Sequence, residues 1–215
     1  MKTLKIDFVS DVSCPWCAIG LNTLEEALRR LDGEVAAELH FQPFELNPQM
    51  GPEGQDIDEH LMEKYGATPE QSARTREAIR ARGAEVGFDF RMEKRSRIYN
   101  TFDAHRLLHW AGIEGRQQAL KHALFGAYFT RGENPGAKDV LLRAAAEAGL
   151  DAKRAEEILS SGEYAQETRE QARFWLDQGI HSVPAVIINE RYLVQGGQPP
   201  EAFEQALRQV AQSDA

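Results

Sequence analysis

The 215-residue chain has two cysteines, Cys14 and Cys17, separated only by Pro15 and Trp16. Two sulfurs at this spacing have three possible uses. They can exchange a dithiol for a disulfide, supply half of a tetrahedral zinc site, or sit as inert buried thiols. The redox use needs one sulfur activated as a thiolate and a second placed to resolve a mixed disulfide. Zinc needs two further ligands, for which His105 and His109, spaced i, i+4, are the candidates. A stapled disulfide framework is excluded, because one pair closing so short a loop constrains little of the unfolded chain.

The surrounding elements favour the redox use. Leu4 to Val9 is apolar and β-prone and reads as a strand. From Ala18 to Leu31, the residues Ile19, Leu21, Leu24, Ala27, Leu28 and Leu31 recur at helical spacing. Pro15 suits the first turn of that helix, and Asp32-Gly33 ends it. Val35 to Phe44 reads as a second strand, so the three elements form a βαβ unit with parallel strands and a right-handed crossover. Cys14 then falls at a helix N-terminus, where unpaired N–H groups and the helix dipole favour a thiolate. The expectation is an exposed Cys14 that attacks and a shielded Cys17 that resolves. Pro15 and Trp16 offer few donors of their own, so helix N–H groups are expected to do most of the stabilising. The strand-to-helix setting also argues against a zinc knuckle and against inert thiols. His105 and His109 lie on a separate, otherwise apolar helical segment.

After Glu45 the pattern changes to Ala-rich helical segments: 56–65, 69–86, 101–111, 116–131, 138–148, 152–160 and 164–178, each punctuated by Gly or Pro. The β pattern returns at Val183-Pro184-Ala185-Val186-Ile187-Ile188. A turn at 189–191 and Tyr192-Leu193-Val194 complete a hairpin, and a final amphipathic helix carries Phe203, Leu207 and Val210 on one face. The fold class is therefore α/β, βαβ…ββα, with a large all-helical subdomain inserted: residues 1–45 plus 180–215 form one domain and 46–179 the insertion. Proline opening a strand is unusual. A cis Val183–Pro184 bond opposite the cysteines would present the Val183 backbone to an extended peptide, whereas a trans bond would make Pro184 a plain strand starter.

Other residues take smaller roles. Asp7, buried in the strand that feeds the cysteines, would have a raised pKa and act as a general base; solvated at an edge, it would do nothing. His181 lies near Pro184 in sequence, where a protonated imidazole would favour the thiolate. His105 reads as a packed or capping histidine, Trp110 and Trp175 as core, and Trp16 as an apolar lip for substrate. The formal net charge of −9 argues against a nucleic-acid footprint or a polybasic membrane patch. No run approaches the ~18 apolar residues of a membrane span, and no signal-peptide pattern is present, so a cytoplasmic location is expected.

Ser10-Asp11-Val12-Ser13-Cys14-Pro15-Trp16-Cys17, the stretch Asn100 to Leu107, Ala127-Tyr128-Phe129 and Gly196-Gly197-Gln198-Pro199 together resemble the DsbA-like branch of the thioredoxin superfamily, nearest its FrnE-type dithiol–disulfide oxidoreductases. The resemblance covers nearly the whole chain. It implies a thioredoxin fold, Cys14 as nucleophile, Cys17 as resolving thiol, Pro184 as the cis-proline and Val183 as a backbone contact for substrate. It implies exchange with protein or peptide cysteines, recycling by a cellular thiol reductant or oxidant, no metal and no resident cofactor, with glutathione as the candidate co-substrate. A monomer or weak homodimer is expected. One departure is Ser182, where the family often has glycine. The alternative is a glutathione-dependent isomerase or transferase of the related kappa-class and hydroxychromene-carboxylate isomerase group, which usually has serine at the first catalytic position. A non-enzymatic peptide-binding module is the third reading.

Overall fold

In a computed structural model, residues 3–213 are described. Strand β1 (Thr3–Ser10) runs into helix α1 (Pro15–Arg30), which returns through β2 (Ala36–Pro43). β1 and β2 are parallel, with Ile6 beside Leu39 and Asp7 beside His40. At the other end of the chain, β5 (Ala185–Ile188) and β6 (Tyr192–Gln195) form the hairpin, and α9 (Pro200–Ser213) closes the chain. β5 pairs antiparallel with β1, giving the sheet order β2-β1-β5-β6.

Side-chain alternation divides this sheet cleanly. Leu4, Ile6 and Phe8 point into a core shared with Leu21 and Leu24 of α1 and with Phe203 and Leu207 of α9. Val9 points the other way, toward Trp175, Ile180 and Ile187. β2 is an edge strand, and its exposed backbone is partly satisfied from outside the sheet. The Gln117 side chain accepts from the Phe41 N–H (2.9 Å) and donates to the Phe41 carbonyl (3.0 Å), as a neighbouring strand would.

In the chain, between β2 and β5, come α2 (Ile57–Tyr65), α3 (Pro69–Glu85), α4 (Phe102–Ile113), α5 (Gln117–Phe125), α6 (Lys138–Glu147), α7 (Ala152–Ser160) and α8 (Ala165–Asp177). Thr68 caps α3 with a full capping box, and Asp56 and Asp151 cap α2 and α7. Two features depart from the sequence reading. A two-residue ladder, β3 (Gln55–Asp56) with β4 (Arg97–Ile98), ties the start of α2 to the segment before α4. The segment read as one helix over 116–131 changes at Gly126 into a π-helical stretch, Gly126–Arg131. That stretch packs Tyr128 and Phe129 beside Phe125, in the same apolar cluster as α1. One apolar cluster thus spans the sheet and part of the helical insertion, with Ile79, Phe90 and Met92 also in it, while α4 to α7 enclose a second around Leu107, Leu120, Leu141 and Ile158.

Candidate active site

The turn between β1 and α1 is built around Asp11. Its carboxylate accepts the Ser13 N–H (3.1 Å) and the Leu46 N–H (2.7 Å), while its carbonyl accepts the Cys14 N–H (3.2 Å). Asp11 is 1% exposed. Burial alone would push its carboxyl up. The His105 imidazole, with Nε2 3.7 Å away, and the two N–H donors outweigh burial and hold it below the usual carboxylate range. Lys64 at the end of α2 fastens the same loop, donating to the Leu46 carbonyl (2.7 Å) and Asn47 Oδ1 (2.6 Å).

This turn delivers Cys14 to the N-cap of α1, with Pro15 at the first helical position. Both cysteines are free thiols and both are buried. The expected exposure of Cys14 is not met: it is 4% exposed, and the exposed neighbour is Trp16 at 37%. Cys14 is held below the ordinary thiol range, as its position suggested, but the main cause is different. The largest contribution is a hydrogen bond from the Cys17 thiol; the backbone N–H groups of Cys17 and Trp16 add to it, against burial and the Asp11 charge. Cys17 is pushed well above the ordinary range, first by burial and then by donating to Cys14 and by the Cys14 charge. Of the two thiols, Cys14 is therefore the readier to ionise and Cys17 the one that keeps its proton.

The Val183–Pro184 bond is cis. The Val183 carbonyl lies 3.7 Å from Cys14 Sγ, so the strand start and the helix start meet at this sulfur. Glycine makes this approach possible. A Cβ at Gly20 would stand 3.0 Å from Pro184 Cγ and 3.4 Å from the Gly197 Cα. Gly20→Val is accordingly expected to cost about 1–3 kcal/mol, the usual range for overpacking. It should also slow the reaction of Cys14 by displacing Pro184. Urea denaturation and alkylation kinetics measure both, and an unchanged midpoint would contradict this packing. Ser182, the departure from family pattern, is exposed and hydrogen-bonds with the Gln195 side chain across the hairpin.

The other sequence candidates separate. His105 is 2% exposed and faces Asp11. His109 meets Gln171 instead (3.2 Å). Among the described residues, no group of three or more His, Cys, Asp or Glu is arranged to hold a metal ion. His181 is exposed and makes no hydrogen bond or ion pair with either cysteine. Asp7 is buried, as a general base would be, but one position out of phase with Ile6 and Phe8. It projects to the sheet face away from α1, into a cleft shared with Trp175 and Ile187. There it accepts from Gln42 Nε2 (2.7 Å) and faces Lys5 Nζ (3.4 Å), not Cys17. Trp110 and Trp175 are buried, as their helical positions implied.

The sequence reading passed over two residues. Asp11 could have been found from Asp11-Val12-Ser13 just before a helix start, a common turn-forming arrangement. Lys121 lies four residues before Phe125, on a helix face also carrying Leu124, where a charged residue interrupts the apolar pattern. It is fully buried, and its charge acts on Cys17, Asp11 and Cys14.

Comparison with known proteins agrees with this geometry. A family model, the DSBA-like thioredoxin domain, matches residues 5–208. The chain belongs to this family. A solved structure from Streptomyces coelicolor, described as a probable DsbA oxidoreductase SCO1869, is 32% identical and superposes with a TM-score of 0.87 over 97% of this chain and 90% of that one. The uncharacterized protein YwbO of Bacillus subtilis (strain 168) is 25% identical, covering 95% of this chain and 96% of its own length. The cytosolic disulfide reductase DsbM of Pseudomonas aeruginosa, solved with GSH, shares the fold at 17% identity and a TM-score of 0.65, over 97% and 99% of the two chains. The DsbA-like family is one of thiol oxidoreductases, and this member carries its cysteine pair at the start of α1 in a thioredoxin fold. No described helix is long and apolar enough to cross a membrane.

Proposed function

We propose that this protein exchanges disulfides with cysteines of protein or peptide substrates, using Cys14 and Cys17 as a two-electron couple. The observation that carries the reading is the meeting of three features at one sulfur. Cys14 is held toward its thiolate, Cys17 stands beside it with its proton retained, and the Val183 carbonyl is 3.7 Å away. In the reducing direction, the Cys14 thiolate attacks a substrate disulfide and releases one substrate thiolate. Cys17 then attacks Cys14 and releases the second, leaving a Cys14–Cys17 disulfide. A substrate segment lying extended beside Val183 would pair with its backbone. Trp16 and Tyr65, both exposed, offer apolar contact; Tyr65 is close enough for the Cys14 charge to act on it. The couple itself stores the electrons, so the reaction as proposed uses no resident cofactor. Glutathione or another cellular thiol or disulfide would reset the couple.

Reduction of insulin by dithiothreitol tests this reading. The wild-type protein is expected to shorten the lag before insulin precipitates. Cys14→Ser should return the lag to the uncatalysed value. Conjugation of glutathione to 1-chloro-2,4-dinitrobenzene, the assay for the transferase alternative, should stay at its background rate. Catalysed conjugation with an unchanged insulin lag would reverse the assignment, and insulin activity retained in Cys14→Ser would remove Cys14 from the mechanism.

A further inference from the structure

Resolution of a mixed disulfide requires Cys17 to lose its proton, yet Cys17 is 0% exposed and cannot give it directly to water. A buried acceptor is required. The neighbouring acceptors are mostly committed: the Asp11 carboxylate is held by two backbone N–H groups and faces His105. Lys121 is different. Its side chain is 0% exposed, its Nζ has no hydrogen-bond partner among the described residues, and it stands 5.2 Å from the centre of the Phe125 ring. An ammonium without a partner in such a place is costly, whereas a neutral amine with a free lone pair is tolerated. The same narrow crevice is lined by His105 and His109 from α4, Gln42 from β2 and Gln171 from α8. From the β1–α1 turn and the first turn of α1, the charges of Asp11, Cys14 and Cys17 act on the amine.

We propose that Lys121 is the acid–base partner of Cys17. This rests on the disulfide-exchange reading above and names the group that reading leaves unassigned. In the reducing direction, the neutral Lys121 amine takes the proton from the Cys17 thiol. The Cys17 thiolate attacks Cys14 Sγ, the Cys14–substrate S–S bond breaks, and the Cys14–Cys17 bond forms. The substrate sulfur leaves with the electron pair and is protonated by solvent. The pair is oxidised by two electrons and the substrate sulfur is reduced. In the oxidising direction the Lys121 ammonium returns the proton to Cys17. Burial supports the assignment, lowering the Lys121 pKa to about 8, so a working fraction of the amine is neutral near physiological pH.

The test uses 5,5′-dithiobis(2-nitrobenzoate) below one equivalent, which reports each step by release of a coloured thiolate. Capture by Cys14 releases the first equivalent, and resolution by Cys17 releases the second. In the wild type, the second phase should accelerate with pH through an inflection near the Lys121 pKa of about 8. In Lys121→Met, that phase should slow by about 10- to 100-fold at pH 7, the low end of general-base effects, with its inflection moved upward. The first phase should slow far less. Lys121→Arg keeps the charge but cannot accept a proton, so it too should be slow. A second phase unchanged in rate and inflection in Lys121→Met, or fully restored in Lys121→Arg, overturns the proposal. So does a wild-type second phase that is flat with pH, an outcome that needs no variant to fold. If the wild type releases no second equivalent at all, the exchange reading itself fails, and the two failures are distinct.

Discussion

In Cys17→Ala, Cys14 is expected to lose most of its activation as well as its resolving partner. The largest influence lowering the Cys14 pKa is the thiol of Cys17, and alanine has nothing to donate. Burial and the Asp11 charge, which push the other way, would remain. Each unit by which the Cys14 pKa rises above the ambient pH reduces its thiolate fraction by about tenfold. The remaining thiolate would be more nucleophilic, which returns roughly half of that loss on a logarithmic scale. Alkylation by iodoacetamide, followed against pH by mass spectrometry, should therefore show a slower reaction at pH 7 and an inflection displaced upward. Turnover on insulin should fall to background, because a mixed disulfide on Cys14 has no internal route to resolution. Cys17→Ser separates the two roles. Its hydroxyl can still donate to Cys14, so alkylation should stay closer to wild type while turnover is lost just as fully. If alanine and serine alter Cys14 alkylation equally, the Cys17 thiol is not the main stabiliser, and the helix N–H groups regain the role their position suggested.

That difference marks where the sequence stops being informative. The cysteine pair, the strand before it, the helix after it and the late Val183-Pro184 are local patterns, and each forms where its own residues direct. The ranking of influences on Cys14 is not local. It depends on how deeply the β1–α1 turn is covered, and the covering residues come from Leu46, α2 and α4. Asp7 shows the same limit. The sequence left it open whether Asp7 is buried or solvated at an edge; a strand has a period of two, and a displacement of one residue turns the carboxylate to the opposite face. Lys121 is about a hundred positions from the cysteines in the chain. Only the breach in the apolar face of α5 marked it, and a breach alone does not show which group the amine meets. The π-helical turn after Phe125 is likewise invisible in periodicity, because Ala127, Tyr128 and Phe129 satisfy a helical pattern in either register.

Lys121 carries a second expectation, for stability. Its pKa falls from 10.5 to about 8 on folding, chiefly through burial. Below pH 8 the folded chain holds the ammonium against its preference, and the unfolded chain holds it freely, so the full penalty is present. Between about pH 8 and 10.5 the folded chain has released the proton and the unfolded chain has not; stability then rises with pH, and above 10.5 the penalty is gone. A shift of this size corresponds to a penalty on the order of 3 kcal/mol at pH 7. Lys121→Met removes the charge, shortens the unbranched side chain by only one atom and leaves an apolar group beside Phe125, so the variant should be more stable at pH 7 by about 1–3 kcal/mol, or several degrees in Tm. Cys17, with its raised pKa, pulls the other way above pH 9 in both proteins, so the quantity to read is the difference between them. That difference should shrink as pH rises from 8 toward 10.5, and a constant gap across this range would mean that Lys121 does not change protonation there. A more stable variant with impaired resolution is the pattern of a buried charge retained for chemistry at the expense of the fold. A variant both unstable and slow would instead make Lys121 a structural cation balancing Asp11.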